Sequence, residues 1–130
     1  MSNKERRQQL TPLRVQLKQL LEELHQTLEP AFERTPVVKG NVYERAYRCG
    51  AARCVCQRGR LHQNVGLTWS EQGKHHFRQV PPGRVAELRR KSRDYLRLRQ
   101  ARAAVTVLSK KITGVLDQIE AVRREEAFYE

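Results

Sequence analysis

Aromatic side chains are scarce in this sequence: one tryptophan, three phenylalanines and four tyrosines among 130 residues. With hydrophobic residues at only 38 %, such a composition excludes a large core. It leaves one domain, or one domain with a long helical extension, and not two independent cores. Long apolar runs are also missing, which excludes a membrane-spanning helix. The opening MSNKERRQQL lacks the apolar centre of a secretion signal, so the chain is expected to be cytoplasmic. Residues 34–102 hold only Glu44, Glu71, Glu87 and Asp94 as acids, and no two sit at the spacing of paired metal-binding carboxylates. There is no glycine-rich loop for a phosphate, no Ser/His/Asp set and no isolated Cys–His pair. Enzymatic activity is therefore not expected.

What is present in excess is positive charge, and it is concentrated. Residues 1–33 carry five basic and five acidic side chains, and residues 103–130 carry four and five. The stretch 34–102 carries seventeen basic against four acidic, so the formal net charge of +12 arises in the middle of the chain. Fourteen of those seventeen are arginine. The planar guanidinium fork suits phosphates and guanine edges better than an ammonium does, so the bias points to a nucleic acid.

Three segments follow from the residue pattern. Residues 1–34 hold an amphipathic helix: Leu13, Leu17, Leu20, Leu24 and Leu28 repeat in steps of four and three, with Leu10 extending the stripe. Thr11 is placed as its N-cap and Pro12 at its first turn, and Pro30 ends it. Residues 35–81 form a small β module. One strand covers Val42–Tyr47, and two more, Gly66–Ser70 and His75–Val80, flank a turn at residues 71–74 with Gly73 at positive φ. Residues 82–130 form a long helix from about Arg84 to Ala127. Its first part, 84–102, carries eight Arg or Lys against two acids. Its second part runs Leu98, Ala101, Val105, Leu108, Ile112, Val115, Ile119, Val122, a heptad seam that Gly114 interrupts in propensity but not in period. The expected fold is α+β, mainly α: an antiparallel helical hairpin or coiled coil with a small zinc-stapled β-hairpin module inserted.

All three cysteines fall in eight residues, in the pattern Cys49-x4-Cys54-x-Cys56-x5-His62. Three thiolates and one imidazole form a closed tetrahedral donor set for zinc, with no position left for a reactive water. Gly50 and Gly59 allow the backbone to curl around the site, and Arg48, Arg53, Arg58 and Arg60 would offset its negative charge and favour the thiolates. A metal would also staple a sheet too small to stand alone. The competing reading is three thiols packed as small hydrophobes without metal. His75 or His76 stands as an alternative fourth ligand, only one of the two because neighbours on a strand face opposite ways.

The run Gly40-Asn-Val-Tyr-Glu-Arg-Ala-Tyr-Arg-Cys49-Gly, then Cys54-Val-Cys56 and Gly59-Arg-Leu-His62, resembles a family of small bacterial proteins often encoded near transposases, with a core of the form RCGKPxCxCxxGxLHGPY. The resemblance covers about residues 38–100. It implies a mobile-element setting and no enzymatic activity. The sequence departs from the family after His62, where Gln63-Asn64-Val65-Gly66-Leu67-Thr68-Trp69 replaces a tyrosine-rich stretch, leaving Trp69 and Phe77 as what remains of an aromatic surface.

The adopted reading is a non-enzymatic nucleic-acid-binding protein with a structural zinc centre at Cys49, Cys54, Cys56 and His62, acting as an accessory factor of a mobile element. Phosphates, of DNA or RNA, would meet Arg45, Arg48, Arg53, Arg58, Arg60, Lys74, Arg78, Arg89, Arg90, Arg93 and Arg97. Tyr47 and Trp69 are the candidates for base stacking. The alternative is a coiled-coil adaptor in which the seam 98–122 forms a homodimer or grips a partner helix while the basic surface meets an acidic protein.

Overall fold

The structure, a computed structural model, describes residues 1–128. Helix α1 (Asn3–Thr27) begins nine residues before the expected start at Pro12. Ser2 caps it: the Ser2 hydroxyl accepts from the Glu5 amide, and the Glu5 carboxylate accepts from the Ser2 amide, each at 3.1 Å. This reciprocal box satisfies two orphan donors. It outweighs Pro12, which lies inside the helix at the cost of one backbone hydrogen bond. Thr11 is correspondingly not a cap; its hydroxyl donates back to the Arg7 carbonyl at 3.0 Å. A 3₁₀ turn, Glu29–Phe32, follows and takes Pro30 in its first turn.

The second helix, α2 (Val85–Arg123), is 39 residues long and runs through Gly114 without a break. A Cβ at Gly114 would meet open space, so that glycine marks no close helix contact. The helix stops four residues short of the expected Ala127. After Arg124 come Glu125 and Glu126, and carboxylates at a helix C-terminus oppose the macrodipole.

Along the chain, the residues between the two helices form an antiparallel sheet in the order β1-β2-β3: β1 (Asn41–Tyr47), β2 (His62–Glu71) and β3 (Lys74–Val80). The β2–β3 turn places both Gln72 (φ 52°) and Gly73 (φ 76°) at positive φ, the requirement of a tight two-residue hairpin. Strand β2 starts at His62, four residues before the expected Gly66, because Ala46 and Tyr47 continue the β1 ladder to Gln63 and His62.

The chain divides into two compact units. The helical unit comprises Met1–Glu33 and Leu98–Glu130. Its core is Leu20, Leu108 and Val115, with Leu13, Leu17, Leu24, Ile112 and Ile119 packed against it. The Arg6 guanidinium donates to the Val122 carbonyl at 3.1 Å, so the start of α1 meets the end of α2 and the two segments run antiparallel. The sheet unit comprises Arg34–Arg97 and contains all three strands and the first turns of α2. There the Val38 amide donates to the Lys91 carbonyl at 3.2 Å, the Ser92 hydroxyl donates to the Gly40 carbonyl, and Arg89 pairs with Glu44 at 3.4 Å. Val80 and Leu88 are its buried aliphatic anchors. The fold is thus α+β and mainly helical, with a small three-stranded antiparallel sheet.

Candidate metal centre and cationic surface

The β1–β2 ladder ends where Tyr47 pairs with His62, which closes the fourteen-residue connection 48–61 on itself. Within it the Cys54 amide donates to the Ala51 carbonyl at 3.2 Å, and a 3₁₀ turn, Val55–Arg58, starts directly after Cys54. Gly59, at φ 102°, ends that turn in a left-handed conformation that a side chain would strain. The Gln57 amide side chain ties the turn to the Cys49 carbonyl at 3.1 Å.

These constraints bring the donor atoms of Cys49, Cys54, Cys56 and His62 within 4.8 Å of one another. The Cys49 and Cys56 sulfurs lie 3.5 Å apart, and the Cys54 sulfur lies 3.1 Å from Nε2 of His62. For comparison, a tetrahedral zinc with ~2.3 Å zinc–sulfur bonds separates its sulfurs by about 3.8 Å. All three cysteines are free thiols, so no disulfide competes for them. Of residues 48–61, only these three are not exposed. Cys56 is 0 % exposed while Val55 and Leu61 are 55 % and 41 % exposed. Free cysteine is buried as readily as the aliphatics, so it is the convergence of all four donor atoms, and not burial, that marks the cluster. The connection turns sulfur inward and leaves hydrocarbon outside. The cluster is therefore compatible with a bound metal ion.

The thiols differ in acidity. The Cys56 backbone amide bonds to the Cys54 sulfur, and with the Cys49 and Cys56 thiols and His62 it lowers the Cys54 pKa from 9.0 to about 6. Burial pushes the Cys56 thiol up. His75 and His76, the alternative ligands, lie on β3 outside the cluster, and His76 stacks on Trp69 with ring centroids 5.3 Å apart.

The basic residues sit on four segments. Arg48, Arg53, Arg58 and Arg60 belong to the cysteine connection; Arg45 lies on β1, Lys74 and Arg78 on β3; Arg89, Arg90, Arg93 and Arg97 are on α2. Two of them line a groove of about 620 Å³ inside the sheet unit: Arg89 and Arg93, together with Lys39, Trp69 and Tyr95. Tyr47 does not join them. The strand register puts Tyr47 and Trp69 on opposite faces of the sheet, so they cannot act as one stacking surface. Tyr47 instead shares its face with Tyr43, Arg45 and Phe77. Lys39, Tyr43 and Tyr95 escape a reading by charge runs and motif spacing; the period-two alternation of β1 was the one signal that could have found Tyr43.

No helix among the described residues is long and apolar enough to cross a membrane. No protein-family model, no curated protein and no solved structure matches the chain.

Proposed function

We propose that the chain is a non-enzymatic nucleic-acid-binding protein whose sheet unit is organised by a structural zinc ion on Cys49, Cys54, Cys56 and His62. The observation that carries the binding reading is the charge of that unit: fifteen basic against four acidic side chains in Arg34–Arg97. Glu44, Glu87 and Asp94 are taken up by Arg89, by Arg84 and Lys91, and by Arg97. Among the described residues, Lys39, Arg48, Arg53, Arg58, Arg60, Lys74, Arg78, Arg90 and Arg93 have no carboxylate in ion-pair range. Such self-repulsion is relieved by a polyanion, and phosphates arrayed along a nucleic acid relieve it at many points at once. The resemblance to proteins encoded near transposases makes the nucleic acid of a mobile element the natural partner.

The donor set supports zinc over other ions. Three thiolates and an imidazole suit a borderline-soft tetrahedral metal, and four protein donors leave no site for a substrate. With three thiolates and a neutral histidine, a divalent ion leaves the centre at −1, which the arginines of the same connection offset.

We read the helical unit as a short antiparallel coiled coil. This weakens the adaptor alternative, since Leu108, Ile112, Val115 and Ile119 of the seam 98–122 already pack with the leucines of α1.

The deciding experiment is the binding of a labelled oligonucleotide followed between 50 and 300 mM salt, concentrations on the order of those over which phosphate contacts are lost. Log affinity is expected to fall linearly with log salt, and Lys39→Ala and Arg93→Ala each to reduce the slope by about one. Affinity independent of salt contradicts the reading.

A further inference from the structure

We propose that the sheet face carrying Tyr43, Arg45, Tyr47 and Phe77 is a stacking site for the unpaired bases of single-stranded nucleic acid; this deepens, and rests on, the nucleic-acid reading above.

The face is fixed by register. Tyr43, Arg45 and Tyr47 alternate along β1 and stand opposite Gly66, Asn64 and His62 of β2. Phe77 of β3 stands opposite Thr68 on the same side. Gly66 is what lets side chains of the two outer strands meet across β2. A Cβ there would come within 2.3 Å of the Phe77 ring, so the ring lies directly over the glycine backbone. Across this gap Tyr43 and Phe77 approach to 6.4 Å between centroids, tilted by 57°. The Arg45 guanidinium sits 4.5 Å from the Phe77 ring centre and 4.7 Å from that of Tyr47, while its Nε donates to Asn64 at 3.3 Å. The result is a row of π faces with a cation held among them.

A patch built for packing would bury an apolar side chain at position 45 and cover the outer ring. Here Phe77 stays 41 % exposed, and the space between rings is given to a charge. The sign of the face is uniform as well. Its ionisable groups are Arg45, His62 and His75, whereas both acids of the sheet, Glu44 and Glu71, alternate onto the opposite face. There Glu44 meets Arg89 of α2. Partly exposed rings with an interleaved arginine and no carboxylate stack flat π systems that carry their own phosphates. Bases inside a duplex are already stacked and cannot reach such a face; unpaired ones can. From Tyr47 the chain passes directly into Arg48 and the arginines of the cysteine connection, which supply phosphate contacts beside the rings.

The row also continues into the metal site. The His62 ring lies 5.4 Å from that of Tyr47 at 35°, with Nε2 turned to Cys54. A metal on that nitrogen fixes the surface on which Tyr47 rests.

The test compares a labelled single-stranded oligothymidylate with a duplex of equal length, using the full chain at one salt concentration and polyglutamate as a base-free competitor. The single strand is expected to bind at least about tenfold more tightly than the duplex, and Tyr43→Leu and Phe77→Leu each to weaken it about tenfold. Duplex binding should not move in either variant. Leucine keeps the apolar volume, and unchanged metal content reports an intact fold. In parallel, an oligonucleotide carrying 5-iodouracil, irradiated on the unaltered protein, should crosslink to Tyr43, Tyr47 or Phe77. Equal affinity for single strand and duplex, competition by polyglutamate at matched charge, equal losses on both nucleic acids, or crosslinks confined elsewhere would each overturn the stacking site while leaving phosphate-driven binding in place. No binding to any nucleic acid would overturn both.

Discussion

Cys54 and Cys56 are separated by one residue and shift in opposite directions. Cys54, supplied with donors by the Cys56 amide and its neighbouring thiols, falls to about 6; Cys56, buried, rises. In metal-stripped protein at pH 7, Cys54 is therefore roughly 90 % thiolate, and alkylation should reach it first and Cys56 last. The sign follows from the lowered value. Ionised Cys54 favours the folded connection, a contribution complete above about pH 9 and lost as pH falls through about 6. Between pH 7 and pH 5 its alkylation rate should drop about tenfold, read by peptide mapping after a timed pulse. Gly66 offers a second residue-scale prediction. Gly66→Ala should displace the exposed Phe77 ring at small cost in stability, under about 1 kcal/mol, and abolish the Tyr43–Phe77 contact in aromatic NMR shifts. The cysteine set was legible in the sequence because metal donors announce themselves by type and spacing. The aromatic face was not, since Tyr43 and Phe77 are thirty-four residues apart and meet only through a register that brings them over one glycine.

Elements follow local rules wherever two rules do not compete. The heptad positions of α2 are the ones its burial follows, with Ala101, Leu108 and Val115 buried. Leu108→Ala should cost on the order of 2–5 kcal/mol in urea unfolding, because it empties the centre of a thin core. Gly114→Ala should do the reverse and add about 0.5–1 kcal/mol, as the new methyl meets open space in an unbroken helix. Where two rules did compete, the sequence misled. Thr11-Pro12 is a good helix start, yet Ser2-x-x-Glu5 is a better one, and propagation from that box carries the helix past the proline. The early start of β2 was hidden for another reason. His62 and Gln63 have no strand signal of their own and are recruited by their pairing with Ala46 and Tyr47.

At the scale of the whole molecule, charge and structure divide along the same boundary. The helical unit, residues 1–33 and 98–130, carries eleven basic and ten acidic side chains and the leucine-rich seam. The sheet unit carries the excess cations, the sulfur cluster and both aromatic surfaces. Such a sheet, with two buried aliphatic side chains for anchors, needs a further constraint to hold its long β1–β2 connection, and the account assigns that role to the metal. The most direct measurement is elemental analysis of the protein purified without added metal, with Cys54→Ser prepared alongside. The account predicts about one zinc per chain in the parent and almost none in the variant. A parent free of transition metal, or a variant that keeps its full complement, would contradict it.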